Sequence, residues 1–114
     1  MTPGIYNFTE VVKGDVFDEK TLTITKGITP INLTGATIKM DIRIKPGYDY
    51  AKRLSTENSG ITITNATGGV FKINKFICDI DAAVYRYDIQ ITFQNGDVKT
   101  YLAGTFTVLQ DVTR

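Results

Sequence analysis

"YDIQITFQNGDVKTYLAGTFTV", from Tyr87 to Val108, decides the fold. Tyr87, Ile89, Ile91 and Phe93 share one parity; Asp88, Gln90, Thr92 and Gln94 share the other. That period of two is the pattern of a strand with one face buried. Asn95-Gly96 follows, two residues that accept the positive φ of a type I′ turn. A two-residue loop predicts that Gln94 faces Asp97, Phe93 faces Val98, Ile91 faces Thr100 and Ile89 faces Leu102. A slip of one residue would turn the isoleucines to water, so the pattern specifies its own register. Beyond Leu102 the parity runs on through Gly104, Phe106 and Val108. Gly104 interrupts the stripe, which predicts a bulge or bend where the strand changes neighbours.

Working back towards the N-terminus, "ATIKMDIRIK" repeats the alternation. Ile38, Met40, Ile42 and Ile44 point inward, and Lys39, Asp41, Arg43 and Lys45 form a mixed-sign, solvated sheet face. Pro46-Gly47 ends that strand. "TLTIT" (Thr21–Thr25) is a short strand with Leu22 and Ile24 inward, and "GITPINLTG" is a turn-rich loop with Ile31 and Leu33 as core plugs. "ITIT" and "VFKIN" flank "NATGG" as a second hairpin, with Phe71 and Ile73 inward and Lys72 outward. "IYNFTEVV" reads as an edge or arm strand whose Tyr6 and Phe8 are either core or interface residues. Lys45 to Gly60 is polar and reads as a long loop. "CDIDAAVYR" predicts one helical turn near residues 79–84, capped by Asp79 or Asp81. Together these make about seven short strands in one domain over residues 1–114, an all-β, antiparallel immunoglobulin-like sandwich. A partly open barrel is the alternative. Tyr85 or Tyr87 is placed to tie a loop to its strand through the phenol hydroxyl.

Composition removes several classes of function. Thirteen Lys and Arg against twelve Asp and Glu give a net charge of +1. Such a balance does not support nucleic-acid binding by phosphate neutralisation, and the one adjacent basic pair, Lys52-Arg53, reads as a solvated loop. Cys78 is the single cysteine, so no intrachain disulfide forms. It sits beside apolar neighbours and reads as a small buried hydrophobe. There is no histidine, which removes the usual triads and His-based metal sites. No apolar run approaches the ~20 residues of a membrane span, and no leader is expected at the N-terminus. Three Asn-x-Thr sequons, at Asn7, Asn32 and Asn65, read as products of a Thr-rich β-sequence.

Few residues are left as chemical candidates. Asp79-x-Asp81 and Asp18-Glu19 are the carboxylate pairs, and both read as caps or solvated loop residues unlike a calcium loop. The glycines are spread singly and form no phosphate cradle. Tyr48 and Tyr50 could stack on a sugar ring. They carry the alternative function, a carbohydrate or host-surface binding module. No enzyme, cofactor, metal or membrane role is expected.

Three stretches taken together carry a resemblance: "KGDVF" (Lys13 to Phe17), "PINLTGATIKMDIR" (Pro30 to Arg43) and "YRYDIQITFQNGDVKTYLAGTFTVLQDVTR" (Tyr85 to Arg114). Their order resembles small structural proteins of tailed bacteriophages and prophages. The nearest group is the immunoglobulin-like domain of tail and baseplate proteins, of the type at the N-terminus of baseplate upper proteins. The helical linker that follows the domain in those proteins has no counterpart in these residues, so the place in a particle (tail, baseplate, fibre attachment or capsid exterior) stays open. The resemblance implies a non-enzymatic virion protein, assembled in the bacterial host cytoplasm and acting through protein–protein contact. Its expected partners are other virion proteins and further copies of itself, with a host-surface glycan under the alternative. The candidate contact residues are Tyr6, Phe8, Leu109 and Val112.

Overall fold

The computed structural model describes residues 4–8, 10–45 and 49–110, with Gly4 and Ile5 as backbone only. Seven strands of four or more residues carry the architecture: β1 (Lys20–Thr23), β2 (Thr37–Arg43), β3 (Tyr50–Ser55), β4 (Ile61–Asn65), β5 (Val70–Ile73), β6 (Ala83–Thr92) and β7 (Val98–Leu109). No helix is present among the described residues. A six-stranded sheet runs Gly4–Ile5, β7, β6, β2, β3, with Val11–Val12 also paired to β7. A three-stranded sheet runs β1, β5, β4. Two short ribbons complete the fold: Val16–Phe17 with Phe76–Ile77, and Thr25–Lys26 with Thr29–Pro30.

Alternation explains which residues meet. Ile38, Met40 and Ile42 of β2 lie beside Ile91, Ile89 and Tyr87 of β6, all buried on the inner face of the larger sheet. Phe71 and Ile73 of β5 and Ile61 of β4 bury the inner face of the smaller sheet, and all of them join one core cluster. Burying a side chain of this size stabilises by about 1.5–3 kcal/mol. Leu33 and Ile24 plug the core between sheets, and Ile31 packs partly buried against it.

The central hairpin differs from its sequence-based expectation at the turn. Phe93 N–H donates to the Asp97 carbonyl (2.8 Å) and Gly96 N–H to the Phe93 carbonyl (2.9 Å). Gly96 alone of the turn residues has positive φ, at 94°. The connection is therefore a three-residue loop, a type I turn closed by a glycine bulge, and not a type I′ pair. Near the turn the register is Thr92–Val98, Ile91–Lys99 and Gln90–Thr100; from Ile89–Leu102 onward the expected register is restored. Tyr101 is the extra residue of the bulge. In the expected register its ring would lie outward beside Gln90; the bulge turns it inward, buried, edge-on to Phe93 at 6.1 Å. Burial of a large aromatic outweighs an unbroken ladder.

Gly104 does mark a change of neighbour. Gly4–Ile5 runs parallel to β7 at Leu102 and Ala103, and Val11–Val12 runs parallel at Val108 and Leu109. Between them Tyr6 N–H donates to the Ala103 carbonyl (2.9 Å) and Phe8 N–H to the Thr105 carbonyl (3.0 Å). A Cβ on Gly104 would collide with the Tyr6 carbonyl oxygen, so only glycine lets the arm lie this close. Phe8 then enters the core among Phe17, Phe106 and Tyr87, with ring centroids at 5.7, 5.9 and 4.9 Å.

Three further expectations are corrected. Residues 79–84 form no helical turn: Gly14 N–H donates to the Cys78 carbonyl (2.7 Å) and Cys78 N–H to the Asp15 carbonyl (2.9 Å), which commits this backbone to the 12–17 segment. The long loop from Lys45 to Gly60 contains a strand, β3, because Asp41 and the Ile42 side of β2 offer it partners. Ile44 is exposed, since β2 ends at Arg43.

Candidate docking surface

The outer face of the six-stranded sheet gathers the side chains that the core does not use. Even-numbered residues of β6 point outward, and the registers set them in rows: Val84 beside Thr107, Arg86 beside Arg43 and Thr105, Asp88 beside Asp41 and Ala103, Gln90 beside Lys39. Asp41 is only 3% exposed, contrary to the solvated face expected of it. Arg53 of β3 holds it with two bonds (Nε to Oδ1 2.6 Å, second guanidinium nitrogen to Oδ2 2.9 Å), and Arg43 adds a third at 2.9 Å. Burial raises the carboxyl's pKa, but the hydrogen bonds and charges of Arg53 and Arg43 outweigh it and hold Asp41 below its ordinary value. Asp88, directly opposite, is pushed up: burial is the largest cause, and the Asp41 charge adds to it against the opposing pull of Arg43 and Lys39.

Lys52-Arg53 is a strand pair and not a solvated loop. Arg53 turns outward to Asp41, and its guanidinium lies 4.2 Å from the Tyr50 ring centroid. Lys52 turns the other way, 5.3 Å from the Phe76 ring. Tyr50 is exposed at the sheet edge with one ring face stacked by Arg53, while Tyr48 lies outside the described residues.

Towards the lower end of this face, chain segments distant in sequence converge. Val12 pairs with Leu109, and Lys13 N–H donates to the Leu109 carbonyl (2.9 Å). Lys13 Nζ meets Asp81 Oδ1 at 2.7 Å, and the Tyr85 hydroxyl donates to the Asp81 carbonyl at 2.6 Å, so Tyr85 ties this loop to β6. Tyr87 does the same for the arm, donating to the Tyr6 carbonyl. Val84 is 60% exposed and Leu109 40%, diagonal neighbours on the outer face. Val16 and Ile77, directly paired in their ribbon, are exposed as well.

Of the expected contact residues, Leu109 is at this surface. Phe8 is in the core, and Tyr6 is partly buried against it, with Lys20 Nζ 5.1 Å from the Tyr6 ring. Val112 lies outside the described residues. Cys78 is buried, and burial pushes its thiol up, away from thiolate chemistry. Among the described residues no three His, Cys, Asp or Glu side chains group as metal ligands. Asp79 and Asp81 stay exposed, and no ion pair forms between Asp18 or Asp79 and a base among the described residues. Sequence reasoning missed Val84 and Arg86. The signal was present: Val84 is an apolar residue on the polar parity of β6. No family model matches this chain, and no curated protein is similar to it.

Proposed function

We propose that this chain is a non-enzymatic structural subunit of a tailed bacteriophage or prophage particle, a tail, baseplate or fibre-attachment component that acts by docking other subunits. The observation that carries the assembly part is the outer face of the larger sheet, where apolar side chains stay in water beside Arg86, which has no ion pair among the described residues. The phage part rests on the sequence resemblance. An immunoglobulin-like sandwich is the finer reading of the fold. The strand order supports it, since β7, β6, β2 and β3 take the places of strands G, F, C and C′, and β1, β5 and β4 those of B, E and D. The Tyr85 hydroxyl bond to the Asp81 carbonyl just ahead of β6 fits the tyrosine corner of such domains. The glycan reading is weaker, because Arg53 already occupies one face of Tyr50.

Particles released by the host strain, purified and labelled with gold-conjugated antibody against this protein, test the assignment. Label confined to one position on the tail or baseplate is the expected result. Purified particles that lack the protein by mass spectrometry overturn it.

A further inference from the structure

We propose that the lower end of the larger sheet's outer face, centred on Val84 and Leu109, docks a second copy of this chain about a twofold axis. In the dimer, Arg86 of each copy meets the acidic 79–81 loop of the other. The inference deepens the assembly reading and rests on it.

An isologous interface must be complementary to itself. Three observations give this surface that property. Its centre is apolar: Val84 and Leu109 are exposed, and Val12 continues the row across the parallel pair with Leu109. Its upper rim is basic. Arg86 stands directly opposite Arg43, a like-charge pair that costs stability in the monomer, and Arg86 has no ion pair among the described residues. Its lower rim is acidic: Asp79 and Asp81 are exposed in the loop that leads into β6, and among the described residues Lys13 alone is ion-paired there, to Asp81. The order acidic, apolar, basic along one face is inverted by a twofold rotation. Each basic rim then falls on an acidic rim while the valine and leucine side chains meet in the middle. A surface with one sign of charge would repel its own copy; this one attracts it. Arg86, a cost within one chain, becomes a partner for Asp79 across two.

Sedimentation equilibrium over a wide concentration series tests this. The wild-type chain is expected to show a reversible monomer–dimer equilibrium that weakens with salt. Val84→Lys, Arg86→Glu and Asp79→Arg should each weaken it by roughly tenfold or more. All three side chains are exposed, and Asp79→Arg leaves the Lys13–Asp81 pair intact. An equimolar mixture of the Arg86→Glu and Asp79→Arg chains restores opposite charges at both symmetry-related contacts, so it should form a heterodimer with near wild-type affinity. A wild-type chain that stays monomeric throughout, a Val84→Lys chain that associates normally, or a mixture that stays apart overturns the proposal. Any of these leaves the assembly reading to the particle-labelling experiment, which needs no self-association.

Discussion

Two phenol hydroxyls act where neither helix nor disulfide fixes a loop. Tyr87 donates to the Tyr6 carbonyl, the atom that lies over Gly104, and Tyr85 donates to the Asp81 carbonyl. Tyr87→Phe leaves that carbonyl without its donor beside the core and should cost about 1–2 kcal/mol, read as a lower urea midpoint. Burial, with the Tyr6 phenol adding to it, pushes the Tyr87 phenol well above its ordinary value. The unfolded chain releases that proton near pH 10, whereas the folded chain retains it. The contribution is therefore complete below about pH 10 and is lost as pH rises towards the folded value. Tyr87→Phe should flatten the alkaline limb of the stability–pH curve; an unchanged limb would remove the phenol from the account. The opposed pair Asp41 and Asp88 gives a second test. Asp88 is raised, chiefly by burial, so its charged form is disfavoured in the folded state at neutral pH. Asp88→Asn should raise the melting temperature at pH 7, and the gain should vanish below about pH 4, where the carboxyl is protonated in both states. These roles were only partly legible. Parity placed Asp41 and Asp88 on the polar side, but that β3 covers Asp41 with Arg53 depends on a strand the polar 45–60 segment did not announce.

At the scale of elements, local alternation was readable and the exact turn was not. Two-residue and three-residue connections both place glycine at position 96, and Asn-Gly satisfies either. What selects between them is Tyr101, whose ring gains an inward site only if one residue is bulged out of the ladder. Gly96 carries the positive φ, and Asn95 instead accepts the Asp97 N–H at 2.9 Å through its side chain. Gly96→Ala should therefore cost about 1 kcal/mol or more, while Asn95→Gly should give no gain, because position 95 has no left-handed conformation to relieve. A type I′ turn would predict strain at both positions. Thermal melts of the two variants separate the cases, and cross-strand nuclear Overhauser contacts between Gln90 and Thr100 would confirm the shifted register. The helical turn expected over 79–84 failed for a related reason. Its capping aspartates and alanines are suitable locally, but the backbone at Cys78 bonds to Gly14 and Asp15, more than sixty residues earlier in sequence. Pairing of that range leaves no mark on a local pattern.

The whole molecule depends on two sheets sharing one interior, and on an N-terminal arm that closes the edge of β7 with parallel pairs. The inward sets of β2, β5 and β6 followed from period-two patterning. The parallel arm did not, because parity says which face a residue takes and not which edge its strand joins. Gly104 was the one local hint, since a missing side chain in a long strand marks room for another backbone. If the interior is common property, removing packing from either sheet should weaken a single cooperative transition. Phe71, on the smaller sheet, and Ile91, on the larger, are both fully buried. Phe71→Ala should cost about 3–5 kcal/mol and Ile91→Ala about 2–5 kcal/mol. Against a domain stability of about 5–15 kcal/mol, either variant should unfold at a clearly lower denaturant concentration. Fluorescence and far-ultraviolet dichroism should still give coincident curves for each variant. Separate transitions for the two probes, with Phe71→Ala moving only one of them, would mean that the smaller sheet melts independently. The outer face of the larger sheet would then be held by that sheet alone, and substitutions in β5 would leave its docking geometry untouched.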